Sequence, residues 1–228
     1  DAVAEFLDSR HSAAPSRLGQ RYSAAGFLPE AGNTVVCHLD PDSASYAAVV
    51  DARARIMALP AAQSFLFTPI DSLHMTVFEG AIETRRTPDA WPADMDRDLP
   101  IDAVTDALIP RFESFEPPPR FSVRISGLAP TGLALEGATP ADVGAMWAWR
   151  SALTVPFGYR HDTHDAYRFH MTFAYPVAWL PDTQLDIWVE ALAQILAELQ
   201  AAAPILHLRR PAFCKFADMT RFDELVVL

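Results

Sequence analysis

Short apolar, β-branched runs alternate along the chain with longer amphipathic ones, and proline, glycine or acidic residues close most of them. The stretch from Asp1 to Asn33 shows neither period and is interrupted by Gly19, Gly26, Pro29 and Gly32. It is expected to be an irregular N-terminal arm (residues 1–33) wrapping the core. TVVCHL, Thr34 to Leu39, predicts a strand. Asp40, Pro41 and Asp42 offer helix-start chemistry, and the spacing predicts a helix from Ser43 to Leu59, stopped by Pro60. Phe65 to Thr68 and Leu73 to Glu79 read as strands, and residues 84–100 as a polar, proline-bearing loop. A helix over Ile101 to Phe115 is broken by Pro117, Pro118 and Pro119. Strands at Phe121 to Leu128 and Gly132 to Glu136, a helix at Ala141 to Thr154 and a strong strand at Arg168 to Tyr175 follow. Pro181 and Asp182 open a helix running to about Ala203. Three short strands close the chain: Ile205 to Leu208, Ala212 to Phe216 and Glu224 to Leu228.

Several of these strands follow one another directly, which predicts an α+β fold with antiparallel sheet and excludes a doubly wound parallel one. A chain of 228 residues can bury a sizeable core, and 1–228 is expected to be a single domain. Neither GxGxxG nor GxxxxGK[ST] occurs, so the usual nucleotide-binding loops are excluded.

The chemistry lies in a repeated phrase. His74-Met75-Thr76-Val77 returns as His170-Met171-Thr172-Phe173, each time inside an expected strand. Alternation puts His74 and Thr76 on one face, and His170 and Thr172 on one face with Arg168 in line behind them. Phe169, Met171, Phe173 and Tyr175 then fill the core-facing row. Each strand offers an imidazole and a hydroxyl about 7 Å apart, two rises along one side. One such histidine is easily a half-buried strand residue beside a threonine chosen for β propensity; two copies require that coincidence twice. Two imidazoles can serve as acid and base near neutral pH, and two threonine hydroxyls can hold the non-bridging oxygens of a phosphodiester.

Net charge is −11, and Lys215 is the lone lysine among 18 basic residues. Long nucleic acid would call for a basic face, so a small phosphate ligand bound by a few guanidinium groups fits better. His38, Arg168 and Lys215 are the further candidates for touching substrate. Trp147 and Trp149, two apart on a helix, cannot face the core equally; core packing is the simpler reading of each, and a pocket rim where one stacks a base is the alternative. His161, Asp162, His164 and Asp165 are rich in metal-ligand types, but no regular element frames them and a solvated loop is the simpler reading. Cys37 and Cys214 form no CxxC pair, which argues against a zinc knuckle or redox motif. No apolar run reaches the roughly 20 residues of a membrane span. Asp1 to Ser9 carries three acids and no basic signal-peptide start. A cytoplasmic monomer is expected, with residues before Asp1 left open because the chain lacks an initial Met.

The twin H-x-T-hydrophobic motifs resemble those of the 2H phosphoesterase superfamily, which includes RNA 2′,3′-cyclic phosphodiesterases, the RNA ligase-like proteins. The phrases GNTVVCHL, SLHMTVFEG, YRFHMTFAY and FCKFADMTRF are similar to an uncharacterised bacterial and fungal branch of it. The resemblance implies a bilobal fold of two pseudo-symmetric lobes, with antiparallel sheets flanked by helices and a central cleft bearing both HxT strands. It implies His74 and His170 as acid and base, Thr76 and Thr172 as phosphate ligands, and no metal or other cofactor. It implies hydrolysis of a cyclic phosphodiester: a 2′,3′-cyclic nucleotide, ADP-ribose cyclic phosphate or a similar small nucleotide. A non-catalytic phosphate-binding module of the same fold and a metal-dependent hydrolase using the His161 to Asp165 loop are the alternatives.

Overall fold

The computed structural model describes residues 2–9 and 14–228; residues 1 and 10–13 of the arm lie outside them. The elements in order are α1 (Ala2–Ser9), β1 (Tyr22–Ser23), β2 (Gly26–Phe27), β3 (Gly32–His38), α2 (Ala44–Met57), β4 (Phe65–Phe67), β5 (His74–Ile82), α3 (Ile101–Glu113), β6 (Val123–Ala129), β7 (Gly132–Gly137), α4 (Pro140–Phe157), β8 (His170–Thr172), β9 (Ala174–Pro176), α5 (Leu185–Ala202), β10 (Ala212–Phe216) and β11 (Asp223–Val227). The N-terminal arm is more ordered than its composition predicts, since it carries α1 and the β1–β2 hairpin.

Seven strands form one sheet in the order β11-β10-β3-β5-β8-β7-β6, every neighbouring pair antiparallel. Antiparallel sheet flanked by helices matches the expected class. In place of a sheet in each of two lobes, the chain builds one continuous sheet with both HxT strands side by side at its centre. That central seam is narrow: β5 and β8 share the single register pair Met75–Met171, both fully buried.

Local chemistry explains the helix ends. Thr139 caps α4 by accepting the Asp142 amide at 3.2 Å, while the Asp142 carboxylate accepts the Thr139 amide at 3.0 Å. Pro140 opens the first turn, where its missing N–H costs nothing, and Gly158 at φ 74° closes the last one in the left-handed conformation. One face of the sheet meets α3, α4 and α5 and holds the main core. There Phe78 stacks on Phe157 at 4.8 Å and Phe112 on Phe213 at 4.2 Å. Each such buried ring contributes roughly 1.5–3 kcal/mol. The opposite face carries a smaller cluster of Val36, Ile82, Ala212, Cys214, Phe216, Met219 and Phe222, with Phe27 and Tyr175 packed against it.

Two expected strands come out differently. Ile205 to Leu208 supplies only isolated bridges, Leu206 with Val123 and Leu208 with Leu39. Arg168 to Tyr175 is interrupted: β8 starts at His170, and at Phe173 the chain leaves one sheet for another, where β9 pairs with β4. The Phe173 and Ala174 amides both donate to the Thr131 carbonyl, at 2.8 and 3.2 Å. This break upsets the alternation, and Tyr175, expected among the core residues, joins the smaller cluster on the opposite face.

Candidate active site

The two HxT pairs converge. His74, Thr76, His170 and Thr172 line one cavity of about 100 Å³, a space suited to a phosphate group rather than a whole nucleotide. Arg21, Asn33, Thr34, Thr68, Ser72, Glu79, Tyr167 and Tyr175 complete its polar wall. A wider groove of about 1250 Å³ adjoins it and shares Tyr167, His170, Thr172 and Tyr175. Its wall is mainly apolar, from β6, β7 and α4, with Trp147 among the lining residues. Trp149 is buried instead, donating Nε1–H to the Pro119 carbonyl at 2.9 Å. The two indoles therefore divide, with Trp149 in the core and Trp147 on the groove.

Both imidazoles are oriented by the same device. His74 Nδ1 lies 2.6 Å from the Ser72 carbonyl and His170 Nδ1 lies 2.8 Å from the Arg168 carbonyl. A carbonyl oxygen only accepts, so each Nδ1 carries a proton and each Nε2 is left as the nitrogen that can take up or release one. Around His74, Phe222 packs at 4.2 Å between ring centroids and His38 at 6.1 Å. Burial pushes His74 down to about 3, outweighing the Ser72 hydrogen bond, with smaller contributions from the nearby His38 and His170. The ring is therefore neutral across the physiological range. His170 is exposed.

The threonines are fixed through their backbones. Thr76 accepts the Tyr167 hydroxyl on its carbonyl at 3.3 Å, and Thr172 accepts the Thr68 hydroxyl on its carbonyl at 3.2 Å. Arg150 lies over the Tyr167 ring at 3.7 Å from the centroid. These contacts leave both threonine hydroxyls out of the framework that holds the strands.

The other candidates scatter. His38 sits directly across from His74 in the β3–β5 register, but it is buried and outside the cavity wall. Its Nδ1–H donates to Glu224 at 3.1 Å, and burial lowers its affinity for a proton more than Glu224 raises it. Arg168 lines the wider groove and pairs with Glu5 of α1. It cannot continue the His170 row, because no strand precedes His170. Lys215 is exposed and lines neither space, while its neighbours Cys214 and Phe216 belong to the cluster on the site face. Cys37 and Cys214 are free, buried and in different clusters, and burial pushes both thiols up.

The His161 to Asp165 segment is not a solvated loop around its histidines. His161 and His164 are buried, and His161 meets the Glu79 carbonyl with Nε2 at 2.8 Å. His164 Nδ1 and Nε2 and Arg150 Nη2 find no hydrogen-bond partner among the described residues. Asp165 turns outward to Arg160 at 2.6 Å. Among the described residues, no three His, Cys, Asp or Glu side chains gather as a ligand set.

The other polar wall residues escape the sequence reading, and three of them show why. Glu79 arrives by a β-bulge: Val35 faces Phe78 but Val36 faces Thr76, so Val77 is the extra residue. Val77 and Phe78 then both enter the main core, and Glu79 rather than Phe78 returns to the HxT side. Tyr167 and Arg21 lie in irregular chain, where no periodicity assigns a face.

A family model described as 2H-phosphodiest, domain of unknown function (DUF1868), matches residues 21–134. The chain belongs to this family; the match contains His74 and Thr76, and the second HxT pair lies beyond it. The crystal structure of a conserved protein of unknown function from Agrobacterium tumefaciens is 45% identical, with a TM-score of 0.95 over 99% of this chain and 97% of that one. No curated protein matches. No helix among the described residues is long and apolar enough to cross a membrane.

Proposed function

We propose that the protein is a phosphoesterase that opens a cyclic phosphodiester of a small nucleotide or nucleotide sugar by two-histidine acid–base catalysis, without a metal. The observation that carries this reading is that both HxT pairs line one cavity with each Nδ1–H tied to a carbonyl. In the proposed reaction His74, neutral through burial, takes a proton on Nε2 from a water as its oxygen attacks phosphorus. The P–O bond to one ribose oxygen breaks in line, and a protonated His170 gives that oxygen its Nε2 proton. The product is a phosphomonoester with one free hydroxyl, and proton exchange with solvent restores both rings. Thr76 and Thr172 hydroxyls donate to the non-bridging oxygens, where charge grows in the transition state. The rest of the substrate extends into the adjoining groove, where Trp147 offers an indole for stacking and Arg168 a cation. His38 acts through His74 by fixing its ring, and Lys215 takes no part.

The test is turnover of a panel of 2′,3′-cyclic nucleotides and ADP-ribose cyclic phosphate with chelator present. Release of a phosphomonoester that is lost in His74→Asn and His170→Asn is expected. Binding of the same compounds without turnover would make the protein a phosphate-binding module instead. Activity abolished by chelator would overturn the metal-free mechanism.

A further inference from the structure

Among the described residues, the cavity between the two HxT strands is lined by a single guanidinium, that of Arg21, and by no lysine. The requirement for a local cation is acute here. The chain carries a net charge of −11, and Glu79 stands on the same wall. An anion entering this space without a positive partner would be repelled at close range.

Arg21 comes from the N-terminal arm and is held from several sides. Its backbone carbonyl accepts the Leu28 amide at 2.9 Å, closing the hairpin that Tyr22 and Phe27 begin and end. Its Nε donates to Glu30 at 2.5 Å, and its side chain lies beside the Tyr175 hydroxyl. Glu30 is 2% exposed, and its other carboxylate oxygen accepts the Thr84 hydroxyl at 3.0 Å. The Tyr175 ring is in turn packed on Tyr22 at 4.9 Å between centroids. A guanidinium has five N–H donors in a rigid fork, more than Glu30 engages. Anchoring the arm to the sheet would be achieved by an ion pair anywhere along it. Here the Arg21 fork lines the HxT cavity while Glu30 holds its Nε, an arrangement suited to phosphoryl oxygens.

We propose that Arg21 is a further phosphate-binding residue, its guanidinium held by Glu30 and Tyr175 so that the remaining donors grip a non-bridging oxygen of the phosphoryl group between His74 and His170. The inference rests on the phosphoesterase reading of this cavity and makes the N-terminal arm part of the site. Glu30 and Tyr175 are positioning residues, acting through Arg21.

The experiment measures the Kd of inorganic phosphate by calorimetry, and kcat and KM for a 2′,3′-cyclic nucleotide, in wild type, Arg21→Met, Arg21→Lys and Glu30→Gln, with a thermal melt of each. Loss of a charged hydrogen-bond donor to an anion is expected to raise both Kd and KM in Arg21→Met by about 10- to 100-fold, with a smaller change in kcat. Arg21→Lys keeps the charge but not the fork and recovers part of the loss, and Glu30→Gln falls between Arg21→Met and wild type. Should Arg21→Met melt below the assay temperature, Arg21→Lys carries the test, with KM raised several-fold. An active wild type whose Arg21 variants keep its KM and Kd, with only the melting temperature lowered, overturns the Arg21 inference and leaves the phosphoesterase reading intact. A wild type that binds phosphate through Arg21 but turns over none of the substrates overturns the hydrolase and keeps the binding residue. A wild type that neither binds phosphate nor turns over overturns both.

Discussion

His74 and His170 make the same hydrogen bond: each donates Nδ1–H to the carbonyl two residues earlier, Ser72 at 2.6 Å and Arg168 at 2.8 Å. Their environments then diverge. His74 is enclosed by Phe222 and His38, whereas His170 is open to water. One constellation repeated in sequence thereby places its two rings in different surroundings, one against an aromatic ring and one open to water.

His74→Asn and His170→Asn are each expected to lower turnover by about 10²–10⁴-fold, the usual worth of a positioned acid or base. The double variant should lose little more than the worse single one, because the two act in one step. Thr76→Val and Thr172→Val should each cost less, since one donor to the phosphate remains. Steady-state rates on a cyclic nucleotide, with melting curves as a folding control, check this series.

The pH profile of kcat/KM should be displaced on its acid side. If His74 is the base, protonating it stops the reaction, and burial holds that event near pH 3 rather than at the ordinary imidazole value of 6.5. Activity should therefore persist well below pH 6, and fall on the alkaline side as the acid loses its proton. An acid limb near pH 6.5 would assign the base to another group.

Acid should also loosen the fold. His38, His74, His161 and His164 all have proton affinities lowered by burial. A group with a folded value below its unfolded one resists protonation only while folded. The stability it contributes is complete above about pH 6.5 and is lost as pH falls through the folded value. Urea midpoints should drop between pH 7 and pH 4, and the drop should be shallower in His164→Phe. That variant should also be as stable as wild type or more so at pH 7, by up to about 1 kcal/mol, because both ring nitrogens of His164 lack a hydrogen-bond partner among the described residues.

Gly132→Ala tests how the second HxT strand is placed. Gly132 has φ 143°, and an added Cβ would stand 2.0 Å from the Met171 carbonyl, at the point where β7 meets β8. The substitution should destabilise the protein by more than 1 kcal/mol, equivalent to a fall of at least about 2–4 °C in melting temperature at this chain length. It should cut activity further than stability alone explains, by shifting His170. A melt and a rate measured at the same temperature separate the two effects.

Much of this protein is decided locally. The capping box at Thr139 and Asp142, Pro140 at the start of α4, and the break after Leu59 are visible in the chain because each is satisfied by residues within one turn. The alternation in HMT puts His74 with Thr76 and His170 with Thr172 for the same reason, since neighbouring side chains in a strand point to opposite faces. What happens between distant segments is not written in any short stretch. The Val77 bulge that brings Glu79 to the cavity exists because β3 and β5 must both bury their apolar rows. The break at Phe173 that turns Tyr175 outward exists because the chain changes partner from β7 to β4. His161 and His164 look like surface polar residues until the core takes them in. Arg21 sits in a segment without periodicity, and only Glu30, Tyr175 and the arrival of two distant strands at one cavity give it a role. The sequence by itself determined most of the elements and put each histidine with its threonine on one strand face, because these depend on neighbours along the chain; the tertiary structure alone decided which ring is half-buried against Phe222, which is open to water and which cation lines the same cavity, because those depend on burial and on contacts the chain makes only when folded.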